Sequence, residues 1–169
     1  TIWEHWDGIK EDGSFWSSDM NSFNHYAYGS IGDWLYRSVA GINTDGEKTG
    51  YKHIYITPKP EAGLTFAKAN LESMYGAIGS AWKKDGDKMQ IDVSIPANTT
   101  AEIILPFADL KDVVEGGCKL ENVQGIVGYE KTEDGVKIEL GSGDYTFSYR
   151  VSCWKITKER GSVNVYRKS

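Results

Sequence analysis

The sequence predicts a mainly β protein: an antiparallel, jelly-roll-like β-sandwich preceded by a loop and one amphipathic helix. Apolar and polar residues alternate in short runs, for example over residues 89–95, 136–140 and 145–151. Turn residues such as KDGD at 84–87 and EDG at 133–135 separate these runs. No helical pattern lies between the runs, and this favours a sandwich over an α/β fold.

Length and composition agree with a globular protein. The chain has 169 residues, which suits one domain, or one domain that carries a docked remnant of another. No apolar run approaches membrane-spanning length, so no membrane partner is expected. The net charge is −5, and the basic residues concentrate in residues 150–169. We interpret that basic tail as solvated, or lying on the acidic body, rather than as a nucleic-acid site.

The first predicted element is a helix over residues 21–40. Apolar side chains recur there at spacings of three and four, which places them on one face. Asn21 or Ser22 is the expected N-cap, and Gly41 is expected to end the helix. The apolar face consists of Phe23, Ala27, Ile31, Trp34 and Leu35.

The remaining elements are the strands of the sandwich. A polar stretch, NTDGEKTG at 43–50, is the predicted linker, and residues 44–151 are the predicted sandwich. Residues 152–169 are either one more strand, with Val163 and Val165 on one face, or a loose tail. Cys118 and Cys153 can pair, but two free cysteines are the favoured interpretation. The sequence has no pattern of clustered His and Cys, so no metal and no cofactor are predicted.

Two segments carry a family resemblance. TIWEHWDG at 1–8 and MNSFNHYAYGSIGDWLYRSVAGI at 20–42 resemble the end of the catalytic (α/α)6 barrel of bacterial inverting α-L-rhamnosidases. YKHIYITPKP, ILPFADL and LGSGDYTFSY resemble the C-terminal β-sandwich of the same enzymes. The resemblance implies that residues 1–43 are the end of the barrel, with its last loop and helix. We therefore expect the chain to be a C-terminal fragment of a larger enzyme.

The resemblance also implies roles for three residues. Glycoside hydrolysis needs one carboxyl group to protonate the leaving oxygen and one to activate water. Glu4 matches the general base of the family, and His25 matches a histidine that hydrogen-bonds the bound sugar. Trp3, Trp6 and Trp16 are candidates to stack on a sugar ring, but core or interface packing is favoured for at least two of the three; Trp6 is the predicted substrate contact. On residue patterns alone, a glutamate in the position of Glu4 is usually a rim residue, and His25 is a histidine at a helix start with satisfied hydrogen bonds.

The resemblance implies a parent enzyme that releases terminal α-L-rhamnose from glycans or glycosides. Its partners would be the rhamnosylated substrate and the rest of the barrel. The general acid is expected outside this chain, so the chain alone is predicted to be inactive. Because residues 1–40 carry a large apolar surface, the chain alone is also predicted to self-associate through them. Two alternatives stay open for the sandwich: a non-catalytic carbohydrate-binding module, or a structural module that supports the barrel. The sequence does not indicate a cellular compartment.

Overall fold

A computed structural model describes residues 2–44, 46, 49–61 and 63–151, together with the backbone of residues 155–159 and 162–166. The chain divides into two compact units, residues 1–35 and residues 36–169. Within the described residues, no helix is both long and apolar enough to cross a membrane.

The first unit begins with a loop that closes on a small aromatic cluster. The Lys10 amide donates to the Ser14 carbonyl, and residues 9 and 15 pair as an isolated bridge. Asp12 accepts hydrogen bonds from the amide and the hydroxyl of Ser14, and these bonds hold the pKa of its carboxyl group below the usual value. In the same unit, the Phe23 ring contacts the Trp3 ring edge-on, with 5.0 Å between the ring centroids. Local hydrogen bonds and ring contacts therefore order this segment without regular strands.

The helix occupies residues 26–39, five residues later than the predicted start. A 3-10 turn (Tyr26–Ser30) leads into one α-helical turn (Ile31–Trp34) and a π-helical turn (Leu35–Val39). The prediction that Asn21 or Ser22 caps the helix is wrong. The residue before the first turn is His25, whose side chain makes no capping bond. The reason is that the backbone of residues 22–25 hydrogen-bonds to residues 2–4 and stays outside the helix.

The end of the helix belongs to the second unit and is capped within it. A helix leaves its last carbonyl oxygens without partners inside the helix. Here each carbonyl from residue 37 to residue 40 accepts a hydrogen bond from a residue later in the chain. The donors are Asn43 Nδ2, the Lys59 amide, Trp82 Nε1 and Ser80 Oγ, at 2.9, 2.9, 2.7 and 2.6 Å in that order.

Gly41 then turns the chain away from the helix, as predicted. Its φ is +83°, in the left-handed region that glycine adopts without a steric penalty. A Cβ atom at this position would lie 2.3 Å from the backbone nitrogen of Pro58. The backbone thus approaches too closely here for any residue with a side chain.

Eleven strands of the second unit form two sheets. The first sheet has the order β1-β2-β6-β10-β9, and the second has the order β3-β4-β5-β11-β7-β8. The strands are β1 (Ile42–Thr44), β2 (His53–Ile56), β3 (Phe66–Ser73), β4 (Gly76–Asp85), β5 (Lys88–Ile95), β6 (Thr100–Pro106), β7 (Val114–Glu115), β8 (Cys118–Lys119), β9 (Ile126–Lys131), β10 (Gly135–Leu140) and β11 (Gly143–Arg150).

One strand pair departs from the predicted antiparallel arrangement. β2 and β6 run parallel, with His53 opposite Thr100 and Ile56 opposite Ile103. The chain between them forms β3, β4 and β5 in the other sheet, so it returns to the first sheet in the direction in which it left. His53 has a structural role in this pair, since its Nδ1 lies 2.7 Å from Thr100 Oγ1.

The core lies between the two sheets, on the faces that the alternation predicted. Apart from the half-buried Val151, the apolar residues of each predicted run are buried while their polar neighbours are more exposed, which confirms the predicted sandwich. Full burial of each large apolar side chain contributes about 1.5–3 kcal/mol. The buried members of those runs are Met89, Ile91, Val93, Ile95, Val136, Ile138, Leu140, Tyr145, Phe147 and Tyr149.

The C-terminal segment contains a hairpin. Strands β12 (Lys155–Glu159) and β13 (Ser162–Tyr166) pair antiparallel with each other, with Lys155 opposite Tyr166. Residues 163 and 165, for which the sequence left a strand and a loose tail as alternatives, lie in β13. Cys118 is exposed and its thiol is free, whereas Cys153 lies outside the described residues.

Candidate functional site

Two backbone hydrogen bonds bring Glu4 and His25 together. The Glu4 amide donates to the Ser22 carbonyl at 3.0 Å, and the His25 amide donates to the Ile2 carbonyl at 2.9 Å. The intervening loop is closed further by a bond from the Trp16 amide to the Gly8 carbonyl. Residues separated by 21 positions in the sequence are thus neighbours in the fold.

The two side chains face each other at the edge of the first unit. His25 Nε2 lies 3.8 Å from Glu4 Oε2, within ion-pair range but beyond a direct hydrogen bond. The His25 side chain is 25% exposed and the Glu4 side chain 33% exposed. Both groups are therefore held by the protein and accessible to a small ligand.

Aromatic rings fix the orientation of the His25 imidazole. Tyr26 stacks on it with a centroid distance of 5.7 Å, and Tyr28 meets it edge-on at 5.8 Å. The Nδ1 atom is buried and has no hydrogen-bond partner among the described residues. The sequence analysis missed this arrangement, although the aromatic run NHYAYG was a signal that could have indicated it.

The three tryptophans of the loop have different environments. Trp3 packs on Phe23, and Trp16 stacks on His5 with a centroid distance of 4.4 Å. Trp6, by contrast, is 95% exposed. Trp3 and Trp16 therefore contact rings inside the first unit, as predicted for at least two of the three. Only the exposed Trp6 presents its whole ring to solvent, and its contact with substrate stays a prediction.

The Glu4–His25 pair can provide one carboxylate and one imidazole. Among the described residues, no group of three or more His, Cys, Asp or Glu side chains is placed to hold a metal ion. A carboxylate is suited to accept a proton from water, and an imidazole to exchange a hydrogen bond with a hydroxyl group.

Comparison with known families divides the chain near the end of the helix. Residues 1–39 match the bacterial alpha-L-rhamnosidase 6 hairpin glycosidase domain, and residues 41–119 match the bacterial alpha-L-rhamnosidase C-terminal domain. The α-L-rhamnosidase of Streptomyces avermitilis is 38% identical over 149 residues, which is 88% of this chain.

The chain belongs to the bacterial α-L-rhamnosidase family.

A second α-L-rhamnosidase, from Formosa agariphila, is 36% identical over 152 residues, or 90% of this chain. The chain spans only 13% of the length of the Streptomyces enzyme and 16% of the Formosa enzyme. It thus corresponds to a small part of each of these rhamnosidases.

Solved rhamnosidase structures share the fold. The structure of the Streptomyces avermitilis enzyme complexed with L-rhamnose aligns with a TM-score of 0.72 at 36% identity. The alignment covers 89% of this chain and 14% of the Streptomyces chain. The α-L-rhamnosidase of Dictyoglumus thermophilum aligns with a TM-score of 0.71 at 31% identity. That alignment covers 89% of this chain and 16% of the Dictyoglumus chain. The similarity therefore extends over both the first unit and the sandwich.

Proposed function

We propose that this chain provides the general base and a sugar-binding histidine of an inverting α-L-rhamnosidase. The proposal rests on the 3.8 Å distance between His25 Nε2 and Glu4 Oε2. Both residues lie in the segment 1–39, which matches a glycosidase domain. The substrate would be a glycan or glycoside with a terminal α-L-rhamnose.

In the proposed reaction, Glu4 accepts a proton from a water molecule. The water oxygen attacks the anomeric carbon on the face opposite the leaving group, and the glycosidic C–O bond breaks. A second carboxyl group, which we place outside this chain, donates its proton to the leaving oxygen. In inverting enzymes the two carboxyl groups stand about 6.5–9.5 Å apart, so that the water fits beside the sugar.

The other side chains would bind the sugar. We assign His25 a hydrogen bond to a rhamnose hydroxyl, because its ring is held by Tyr26 and Tyr28 beside the proposed base. The exposed Trp6 indole would cover the apolar face of the sugar.

We assign these catalytic roles to residues 1–43 and a structural role to the sandwich of residues 44–151, with residues 152–169 as an extension. The bonds from Lys59, Ser80 and Trp82 of the sandwich to the carbonyls of residues 38–40 support this division, because they fix the end of the helix.

The isolated chain is expected not to hydrolyse an aryl α-L-rhamnoside. Without the second carboxyl group the leaving oxygen departs unprotonated, and the pocket is incomplete. Release of the aryl group by the purified chain should stay at the level of its own Glu4→Gln variant. Turnover at a rate near that of whole rhamnosidases, lost in Glu4→Gln, would contradict this expectation.

We also expect the isolated chain to self-associate through residues 1–40. Ile31, Trp34 and Leu35 are each about half exposed, and an apolar patch of this kind tends to find a partner. Light scattering should show a dimer that dissociates when Ile31 and Trp34 are changed to Glu. Tyr129→Glu, which alters an exposed aromatic residue of β9, is the control. A monomer at high concentration would contradict the expectation.

His25→Ala, in a full-length rhamnosidase that contains this chain, should lower kcat/KM about tenfold. A hydrogen bond to a sugar hydroxyl contributes about 0.5–1.5 kcal/mol, and more if the donor is charged. Steady-state kinetics on an aryl rhamnoside would measure the loss, with His53→Ala in the sandwich as the matched control. An unchanged kcat/KM with an intact fold would leave His25 a purely structural role.

A further inference from the structure

The outer face of the six-stranded sheet carries an ordered set of side chains. Residues directly opposite each other in antiparallel strands point to the same side of the sheet. The pairing of β3, β4, β5 and β11 therefore places twelve residues in three rows of four on one face. We call these twelve residues the outer-face grid. Its rows are Asn70-Gly79-Ser94-Asp144, Lys68-Ala81-Asp92-Thr146 and Phe66-Lys83-Gln90-Ser148.

The grid forms a trough because its second column contains small residues. Gly79 and Ala81 of β4 lie between the longer side chains of β3 and β5. Two adjoining depressions, of about 600 and 410 Å³, lie over the grid and share Lys68, Ala81 and Asp92. Neighbouring strands are about 4.8 Å apart, so the four strands of the grid extend roughly 14 Å across the sheet.

The chemistry of the grid suits a neutral polyhydroxylated ligand. Its charged members are two lysines, Lys68 and Lys83, and two aspartates, Asp92 and Asp144, so its formal charges cancel. This balance gives neither a polyanion nor a polycation an electrostatic advantage. Amides and hydroxyls fill five of the other eight positions, and these groups can both donate and accept hydrogen bonds.

Two of the carboxylates are already oriented. The Ser94 hydroxyl donates to Asp144 Oδ1 at 2.5 Å. Gln90 Nε2 lies 3.0 Å from both carboxylate oxygens of Asp92. A carboxylate has about four acceptor positions, so each keeps capacity for hydroxyl groups of a ligand. Less side-chain freedom is then lost when a ligand binds.

An aromatic ring stands at the corner of the grid. Phe66 begins β3 and is 69% exposed, so most of its ring is accessible to a ligand. An exposed ring beside hydrogen-bonding groups can pack on the C–H face of a sugar, while the groups around it bind the hydroxyls.

We propose that the outer-face grid is a binding site for a neutral oligosaccharide, separate from the site of Glu4 and His25. The trough is open and longer than one sugar ring, so it fits a segment of an extended glycan better than free rhamnose. The proposal does not depend on the catalytic role of Glu4.

The test is titration calorimetry of the 169-residue chain with four carbohydrates. The neutral probes are a linear rhamnose hexasaccharide and cellohexaose; hexagalacturonate is the anionic probe, and free L-rhamnose the short one. At least one neutral hexasaccharide should bind saturably, at least tenfold more tightly than rhamnose and more tightly than hexagalacturonate. The absence of saturable binding by both neutral hexasaccharides at millimolar concentration, or tighter binding of hexagalacturonate, would overturn the proposal.

Matched variants locate the binding. Phe66→Ala should weaken it about tenfold, whereas Tyr129→Ala on the other sheet should not. Ala81→Arg fills the trough and should abolish binding. Its control is Gly128→Arg on β9, where a Cβ would meet only the Glu139 carboxylate at 3.7 Å. Binding that survives Ala81→Arg, or that is lost in Glu4→Gln, would place the ligand elsewhere and contradict the proposal.

Discussion

Glu4→Gln, in a full-length rhamnosidase that contains this chain, is expected to lower kcat by about 10²–10⁴-fold. The amide has nearly the shape of the carboxylate but cannot accept the proton of the attacking water. The backbone bonds that position residue 4 do not involve its side chain, so the fold should be unchanged. Steady-state hydrolysis of an aryl α-L-rhamnoside measures the loss, and circular dichroism verifies the fold.

A control and a rescue experiment make the role of Glu4 specific. Glu11→Gln changes an exposed carboxylate of the same loop and should retain wild-type kcat. Azide needs no deprotonation, so it should restore turnover in Glu4→Gln by forming a rhamnosyl azide with inverted configuration. A variant that keeps more than a tenth of wild-type kcat would show that Glu4 is not the base.

The second large effect concerns stability. Trp82→Ala should lower the free energy of unfolding of the sandwich by about 3–5 kcal/mol. Trp82 is only 2% exposed, and its Nε1 donates to the carbonyl of Val39. The substitution removes the largest side chain of the core and leaves that carbonyl without its partner, which adds to the cost. Urea denaturation of the 169-residue chain, followed by far-UV circular dichroism, measures the change.

Two variants separate the contributions of packing and hydrogen bonding. Trp82→Phe retains much of the apolar volume and removes the donor, so it should cost less than Trp82→Ala. Lys83→Ala, on the outer face of the same strand, should change stability by no more than about 0.5 kcal/mol. A loss below about 1 kcal/mol in Trp82→Ala would mean that this tryptophan does not anchor the end of the helix.

The alternation of apolar and polar residues predicted which face of a strand is buried, but not which way its partner strand runs. Alternation over residues 89–95 and 145–151 correctly predicted the buried face of β5 and β11, because successive side chains of a strand point to opposite faces. The same pattern contains no information on the direction of the partner strand. The parallel pairing of β2 with β6 therefore could not be predicted, since it depends on where three intervening strands lie.

The helix shows the same limit at its start. Apolar spacing predicted a helix, and Gly41 predicted its exit. The start was misplaced because Asn21 and Ser22 are good caps in isolation, whereas hydrogen bonds to residues 2–4 keep the backbone of residues 22–25 out of the helix. Those bonds join residues about 20 positions apart, beyond the range of a helical pattern.

The candidate site was predicted only as a set of identities. Resemblance of the TIWE and NSFNHYAYG segments indicated Glu4 and His25, while residue patterns alone left each with a structural interpretation. The structure added their 3.8 Å approach and the two tyrosines that hold the imidazole. Ring orientation follows from packing, which sequence spacing does not specify.

The sequence by itself thus determined the strand periodicity, the presence of one helix and the family motifs, because all three depend on residues close together in the chain. Only the tertiary structure decided which donors complete the helix end and which side chains share the outer face of a sheet. Ser80 and Trp82 reach carbonyls 40 and 43 positions earlier. Hydrogen bonds between residues so distant in the sequence depend on the packing of the whole sandwich, and they cannot be predicted from a local pattern.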